Sequence, residues 1–484
     1  MTAASLESLA LRVLLPSFAG AALPPQWARL LEEGLGGVCL FGSNLTGRGA
    51  DAEVAALTAA VRSARPDALV ATDEEGGDVT RLHARTGSPV LGAAALGAVG
   101  SLELTAATGR AVGAELVSVG IDLDLGPVAD VNSNPDNPVI GTRSFGTDAD
   151  LVGRHVSAWV GGLQERGVAA CVKHFPGHGD TAQDSHLTLP VLDASADVVH
   201  GREVRPFRAA VDAGVAAVMT SHIVVPALDA QRPATLSPTV LGLLREELGF
   251  DGAIVSDALD MAGASGGRGI PEAAVLALAA GCDLLCVGPD KDAQLVRAIR
   301  AAVVDAVGSG RLSEDRLVDA AARVSRIRRA SYPAGGRESN PERERSEGYD
   351  EPPPSELVDA ARKALVVEGV LPDLTGARVV SIATPANIAV GEAVWGLTPD
   401  LSVAPGERLP DGPLVVQVRD AHRHPEVGAV LRGLASSSVV VEWGWPGPRA
   451  GWPQTGVARV CTRGSSRPAA AAVEDLIREA GWSR

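Results

Sequence analysis

The chain has 484 residues, of which 46% are hydrophobic and 21% charged, a composition typical of a folded globular protein with a sizeable core. A formal net charge of -16 argues against nucleic acid or an anionic membrane as a partner, because both bind basic surfaces. The 5 cysteines are odd in number and lie mostly in apolar runs, which predicts small buried side chains and no disulfide framework.

The N-terminal stretch lacks a basic start, and Arg12 breaks its apolar run, so the sequence predicts no signal peptide. The sequence contains no run of about 18 uncharged apolar residues, so it predicts no membrane-spanning helix. We therefore expect a cytoplasmic protein, and nothing in the sequence indicates its oligomeric state.

Short apolar runs alternate with longer Ala/Leu/Arg segments over the first two thirds of the chain. This alternation predicts right-handed βαβ units and a parallel sheet, and seven or eight units over about 300 residues favour a closed barrel. We predict an α/β fold, a (β/α)8 TIM-type barrel over residues 1–330. Helices are expected at Pro206–Gly214 and Pro271–Gly281. The strand-like runs are Gly37–Phe41, Ala68–Thr72, Ile121–Leu125, Ala169–Val172, Val215–Thr220, Ala253–Val255 and Leu284–Gly288.

Polar side chains follow closely after five of these runs. The carboxyl ends of parallel barrel strands meet at one rim, which is where barrel enzymes build their active sites. Five such places in register are hard to explain by packing alone. The residues are Asp73, Asp130, Lys173 with His174, His222 and Asp257.

The segment 331–354 has no apolar periodicity and is rich in Gly, Pro, Glu and Arg, which predicts an exposed linker. A smaller C-terminal α/β domain of uncertain role follows over 355–484. It begins with a helix-like segment, Ser355–Leu365, and continues with strand-like runs at Val379–Ile382, Leu414–Gln417 and Val439–Glu442. Its tryptophans suit a sugar platform, a buried core or a domain interface, and we favour the core or the interface over the platform; they are Trp443, Trp445 and Trp452.

The densest polar segment is KHFPGHGDTAQDSH, residues 173–186. Its glycines beside Pro176 exclude a regular helix, so we predict a loop. A solvated surface loop is one interpretation. A metal site formed by His174, His178, Asp180 and His186 is a second, although no metal-binding helical spacing is present. The third, which we favour, is an acid–base site in which Asp184 orients His186 for proton transfer.

The second motif is FDGAIVSDAL, residues 250–259, in which a predicted strand delivers Asp257 to the barrel rim. An aspartate at this place is compatible with a helix N-cap and equally with a nucleophilic carboxylate. Combined with the histidine-rich loop, it predicts a nucleophile and an acid/base.

Together these motifs resemble glycoside hydrolase family 3, in its β-N-acetylglucosaminidase (β-N-acetylhexosaminidase) branch. The likeness spans about residues 30–290. Besides KHFPGHGDT…DSH and SDAL it includes GGVCLFGSN, DEEGGDVTRL, GPVADVN, NPVIGTRSFG and MTSHIVVP.

The resemblance implies a role for each matching residue. Asp257 would be the glycosyl-enzyme nucleophile and His186 the acid/base, with Asp184 its partner. The residues implied to hold the sugar in the −1 subsite are Asp73, Arg81, Arg143, Lys173 and His174. Two of these leave an alternative open, because Arg81 could simply pair with Glu74 or Glu75 and Arg143 could clamp a loop. His222 and Asp130 are interpreted as groups that support the sugar ligands.

The family's usual DQEGGRV reads DEEGGDV here, with Glu74 and Asp78 in place of a neutral and a basic residue. This departure predicts a more acidic mouth and argues against a strongly anionic substrate such as a muropeptide fragment.

The implied reaction is the retaining hydrolysis of terminal non-reducing β-N-acetylglucosamine from peptidoglycan fragments or chito-oligosaccharides, without cofactor or metal. A histidine acid/base is neutral after it releases its proton, so phosphate is predicted to compete with water as acceptor. The rival hypotheses are a metal-dependent hydrolase on the same barrel and a sugar-binding protein that retains the pocket. Because every implied catalytic group precedes the linker, we expect residues 1–330 to keep the chemical step alone.

Overall fold

The computed structural model describes residues 5–45, 50–183, 189–331, 353–384, 389–391, 393–447 and 457–483. They form two compact units that do not follow the order of the chain. The first unit comprises Met1–Glu74, Leu102–Val131 and Asp148–Ser346. The second comprises Glu75–Ser101, Asn132–Thr147 and Glu347–Arg484, so two internal segments of the chain fold with its C-terminal part.

The first unit is built around eight parallel strands that neighbour one another in chain order. A backbone hydrogen bond of 2.9 Å from Cys39 N to Pro16 O joins the two ends of this sheet into a barrel. The barrel confirms the predicted fold class. Its strands are β1 (Leu14–Leu15), β2 (Gly37–Leu40), β3 (Leu69–Thr72), β4 (Leu123–Asp124), β5 (Ala169–Phe175), β6 (Ala217–Thr220), β7 (Ala253–Ser256) and β8 (Leu284–Cys286).

The barrel core alternates along each strand, because every second side chain points inward. Leu69 and Ala71 on β3, like Ala217 and Met219 on β6, belong to one buried cluster. Small and aliphatic side chains fill this interior, as the 3% content of aromatic residues requires. All five cysteines are buried and unbridged, which confirms the prediction made from their number and surroundings.

Helices follow most barrel strands, and the two predicted ones occur at Arg205–Asp212 and Ile270–Ala280. A short antiparallel hairpin, Val224–Val225 with Asp229–Pro233, follows β6. No helix among the described residues is long and apolar enough to cross a membrane. The other helices of this unit are Leu6–Arg12, Pro25–Glu33, Ala50–Ala64, Leu102–Ser118, Ala149–Glu165, Ala196–Val198, Val199–Glu203, Pro238–Gly242, Leu243–Glu247, Ala262–Ser265, Ala293–Gly308 and Glu314–Ser331.

The second unit contains a six-stranded sheet in the order β9-β14-β13-β12-β10-β11, parallel except for β9. The C-terminal α/β domain predicted from the sequence is therefore present. Its strands are β9 (Val366–Glu368), β10 (Arg378–Ile382), β11 (Leu401–Val403), β12 (Leu414–Val418), β13 (Val439–Glu442) and β14 (Ala458–Cys461). Its α-helices are Ala93–Val99, Ser355–Ala364, Pro425–Leu431 and Arg467–Glu479.

Three details of the sequence prediction need comment. Strand β5 extends to Phe175, so Lys173 and His174 end a strand and the prediction that they begin a loop was wrong. Trp443 is fully buried and Trp445 is 9% exposed, as a core position requires, whereas Trp452 lies outside the described residues. Most of the predicted linker, residues 332–352, also lies outside them.

Candidate active site

The predicted site residues of the first unit lie at the carboxyl ends of the barrel strands. Asp73 directly follows β3, Lys173 and His174 end β5, and Asp257 directly follows β7. His222 lies two residues after β6. The ends of parallel barrel strands share one rim, so these side chains belong to the same face of the barrel.

Lys173 and Asp73 form a buried ion pair at this rim. The distance from Lys173 Nζ to Asp73 Oδ1 is 2.7 Å, and the lysine side chain is only 3% exposed. A buried ammonium needs such a partner because the interior solvates charge poorly. The pair fixes the position of the Asp73 carboxylate, whose side chain is 14% exposed.

His174 and His178 are both held by Asp130. His174 Nδ1 lies 2.7 Å from Asp130 Oδ2, and the backbone N–H of His178 donates to Asp130 Oδ1 at 2.7 Å. Burial opposes ionisation of Asp130, but the facing histidines and these hydrogen bonds outweigh it and lower its pKa. An ionised Asp130 requires a proton on His174 Nδ1, which fixes the tautomer of that ring.

His178 is a supporting residue of this cluster. Burial lowers the pKa of His178 to about 4, although the charges of Asp130 and Asp257 partly oppose the shift. The ring is therefore neutral at neutral pH, and its Nδ1 lies 2.7 Å from Thr181 Oγ1.

The backbone beside Asp257 is anchored by His222. His222 Nε2 lies 3.0 Å from the carbonyl oxygen of Ala258, so this nitrogen carries the proton and donates it. The Ala258 N–H donates to Asp257 Oδ1 at 2.8 Å. His222 thus contacts the residue after the candidate nucleophile, and its role in supporting the site stays a prediction.

Asp184 and His186, the predicted acid/base pair, lie outside the described residues. The described part of their segment is attached to the π-helical turn Val199–Glu203. Arg202 forms ion pairs with Asp180 and with Glu203, and the Glu203 side chain packs against Gly177. Sequence reasoning missed Arg202 and Glu203, because a turn remote in the chain carries no signal that it supports this segment.

Asp124, at the end of β4, was also missed. It is fully buried and accepts the backbone N–H of Glu74 at 2.9 Å. Burial, together with the charges of Glu74 and Asp73, raises the pKa of Asp124 well above its ordinary value. Burial therefore favours the neutral form of this carboxyl, which faces the charges of Lys173 and Asp73.

The remaining two predicted sugar ligands belong to the second unit. Arg143 makes a two-point ion pair with Glu75, with distances of 2.9 Å from Nε and 2.7 Å from Nη2. Arg81 Nη2 donates to the carbonyl oxygen of Ala389 at 3.0 Å. The ion pair with Glu75 is the kind of loop-holding contact that the sequence left open for Arg143. A role in sugar binding stays a prediction for both arginines.

The acidic mouth expected from Glu74 and Asp78 is wrong. Glu74 is 2% exposed and Asp78 is 8% exposed, so neither presents a charge to solvent. Asp78 is moreover paired with Arg419, whose Nη2 lies 2.8 Å from its Oδ1. The DEEGGDV sequence therefore gives no argument against an anionic substrate.

Among the described residues, no group of three or more His, Cys, Asp and Glu side chains converges in a way that would hold a metal ion. Instead, the His174 ring is hydrogen-bonded to Asp130, and the His178 ring contacts the Thr181 hydroxyl. His174 and His178 thus form a cluster that the Asp130 carboxylate supports.

The model of the glycosyl hydrolase family 3 N-terminal domain matches residues 25–327. A β-hexosaminidase A of Pseudoalteromonas piscicida is 33% identical over 398 residues, 75% of this chain and 65% of the relative, which is just under two thirds of its length. A β-hexosaminidase of Neisseria meningitidis serogroup C (strain 053442) is 40% identical over 274 residues, 54% of this chain and 74% of the relative.

A solved structure of a glycoside hydrolase family 3 β-N-acetylglucosaminidase from Paenibacillus sp. str. FPU-7 superposes with a TM-score of 0.87 at 30% identity. The superposition covers 98% of this chain and 97% of that one, so it includes the C-terminal α/β domain. The matched family model, the relatives and the barrel with its rim of polar residues agree. This chain therefore belongs to glycoside hydrolase family 3, in its β-N-acetylhexosaminidase branch.

Proposed function

We propose that this protein is a retaining exo-β-N-acetylglucosaminidase with Asp257 as its nucleophile. The observation that carries the proposal is the place of Asp257, a partly exposed carboxylate directly after β7, at the strand ends that also carry the Lys173–Asp73 pair. Relatives named β-hexosaminidases support the substrate class.

The proposed reaction has two displacements. In the first, the Asp257 carboxylate bonds to the anomeric carbon, the glycosidic bond breaks, and His186 gives its proton to the leaving oxygen. In the second, His186 takes a proton from water, water attacks the anomeric carbon, and the bond to Asp257 breaks. Asp184 is proposed to keep the His186 ring in the tautomer that both steps need.

Asp73, Lys173 and His174 are proposed to bind the sugar. Charge-assisted hydrogen bonds from these groups suit sugar hydroxyls, and each group is already held by a neighbour. Lys173 holds Asp73, while Asp130 holds His174. These side chains are therefore already in fixed positions before the substrate binds. Arg81 and Arg143 are proposed as further sugar ligands on the family resemblance alone.

We propose water rather than phosphate as the main acceptor, although a histidine acid/base lowers the barrier to an anion. The two cations that the sequence offered for phosphate binding both have carboxylate partners, Asp73 for Lys173 and Glu75 for Arg143. Their charges are therefore largely compensated. Phosphorus NMR of reactions in millimolar phosphate tests this, and accumulation of N-acetylglucosamine 1-phosphate would show a phosphorylase.

Peptidoglycan fragments and chito-oligosaccharides are the substrates we propose. The burial of Asp78 and Glu74 removes the objection to an anionic muropeptide. The cytoplasmic location stays a prediction from the sequence.

A panel of aryl glycosides tests the proposed function. We expect hydrolysis of the β-N-acetylglucosaminide in preference to the β-glucoside, β-galactosaminide and β-xyloside, with the β-anomer of the free sugar formed first in proton NMR. Formation of the α-anomer would contradict the retaining mechanism. Binding of N-acetylglucosamine without turnover of any glycoside would favour a sugar-binding protein.

A further inference from the structure

The second unit contains a buried ion pair between residues 341 positions apart in the chain. Arg419 directly follows β12, and its Nη2 lies 2.8 Å from Asp78 Oδ1, with both side chains 7% exposed. The Arg419 guanidinium also lies over the Trp395 ring, 4.8 Å from its centroid. Removing one member of a buried ion pair leaves the other charge buried without compensation, so loss of Arg419 should disturb the position of Asp78.

Asp78 uses its remaining acceptor capacity to hold two more segments. The backbone N–H of Ser465, after β14, donates to Asp78 Oδ1 at 3.0 Å. The hydroxyl of Thr142 donates to Asp78 Oδ2 at 2.7 Å. One carboxylate thus joins the two internal segments, 75–101 and 132–147, to two loops of the C-terminal sheet.

These internal segments carry the two arginines proposed to bind the sugar. Thr142 directly precedes Arg143, whose partner Glu75 lies three residues before Asp78. Arg81, three residues after Asp78, donates to the Ala389 carbonyl in the C-terminal part of the chain. These contacts of Arg143, Glu75 and Arg81 all lie within the second unit.

The chain enters the two segments after barrel strands β3 and β4. Segment 75–101 begins two residues after Asp73, and segment 132–147 begins two residues after Asp130.

We propose that the C-terminal α/β domain is a positioning module for sugar binding and that Arg419, through Asp78, is the positioning residue by which it acts. This inference rests on the proposed function, because it takes Arg81 and Arg143 as sugar ligands. Arg419 itself has no contact with substrate in this account. Its removal should weaken substrate and transition state alike, which raises KM and leaves kcat nearly unchanged.

The test is the steady-state kinetics of Arg419→Met on the aryl β-N-acetylglucosaminide, well below the Tm of the variant. We expect KM to rise on the order of tenfold, as a small misplacement of binding groups would cause, with kcat within about threefold of the wild type. The matched control is Arg408→Met, whose guanidinium is on the surface of the same unit and pairs with exposed Asp411. It should leave both constants unchanged.

Thr142→Val is the second variant, because it removes one hydroxyl hydrogen bond to Asp78 and preserves the shape of the side chain. We expect its KM to rise by about threefold. If Arg419→Met does not fold, the KM of Thr142→Val alone tests the positioning role. Unchanged KM values in folded variants, with only Tm lowered, would overturn the positioning role and leave a structural one. An inactive wild-type protein would instead contradict the proposed function itself.

Discussion

Replacing Glu203 by glutamine should remove a defined part of the pH dependence of stability. Glu203 ends the π-helical turn against the 173–183 segment and is completely buried. Its Oε1 accepts a hydrogen bond from Arg202 Nε at 2.5 Å, whereas its buried Oε2 has no hydrogen-bond partner among the residues that the structure describes. Burial outweighs the attraction of Arg202 and raises the pKa of Glu203 from 4.5 to about 7.

The magnitude follows from proton linkage. Between pH 4.5 and about 7 the folded protein holds one proton that the unfolded chain has released. The free energy of unfolding then falls by about 1.4 kcal/mol per pH unit, or on the order of 3 kcal/mol over this interval. The contribution is fully present below pH 4.5 and is lost as the pH rises through about 7.

Glutamine is neutral at every pH and keeps a carbonyl oxygen for Arg202. We therefore expect the variant to gain on the order of 3 kcal/mol relative to the wild type between pH 4.5 and 8, whatever its constant offset. The measurement is urea unfolding at several pH values, monitored by hydrogen exchange of peptides from the first unit. Such peptides report the unfolding of that unit independently of the second.

Glu165→Gln is the matched control, because the Glu165 side chain is 62% exposed. Its unfolding curve should run parallel to that of the wild type across the pH range. If the Glu203→Gln curve also runs parallel, Glu203 is ionised in the folded protein and Arg202 outweighs burial.

Three further outcomes follow from the same structure. Asp130→Asn removes the charge that holds His174, so kcat/KM should fall by about thirtyfold, which corresponds to about 2 kcal/mol for a charge-assisted hydrogen bond; an unchanged value would show that this support is unimportant. Exhaustive chelation should leave activity intact, and loss of activity restored by zinc would favour the metal-dependent hydrolase. From the sequence we expect residues 1–330 to keep the chemical step alone; from the structure we expect this fragment to bind the aryl substrate poorly, because segments 75–101 and 132–147 lose their C-terminal partners. Wild-type kcat/KM in a folded truncation would refute this.

The barrel could be predicted from the sequence because its signals are local. Each run such as Ala253–Val255 is short, apolar and followed by a polar residue, and that pattern alone places Asp257 at a strand end. The two-residue strand β1, Leu14–Leu15, is too short to give such a pattern and was missed. Strand β5 extends into the polar residues Lys173 and His174, because Asp73 and Asp130 satisfy them there.

The interleaving of the two units could not be predicted, because it depends on contacts between distant parts of the chain. Asp78 in a segment after β3 looks like an exposed acid until Arg419, 341 residues away, is known to neutralise it. Likewise, nothing in the sequence indicates that Arg143 pairs with Glu75 and not with another nearby carboxylate. Periodicity and motif spacing report local geometry, and neither carries information on such pairings.

The central claim is that Asp257 forms a covalent bond to the sugar, and mass spectrometry of the intact enzyme tests it most directly. A slow, fluorinated N-acetylglucosaminyl donor should add one sugar to the wild-type chain, with the adduct located on Asp257 by peptide mapping. Asp257→Ala should acquire no adduct and no turnover, whereas Asp251→Asn, a surface change in the same motif with a side chain 76% exposed, should acquire it normally. An adduct on another residue, or full activity in Asp257→Ala, would contradict the assignment.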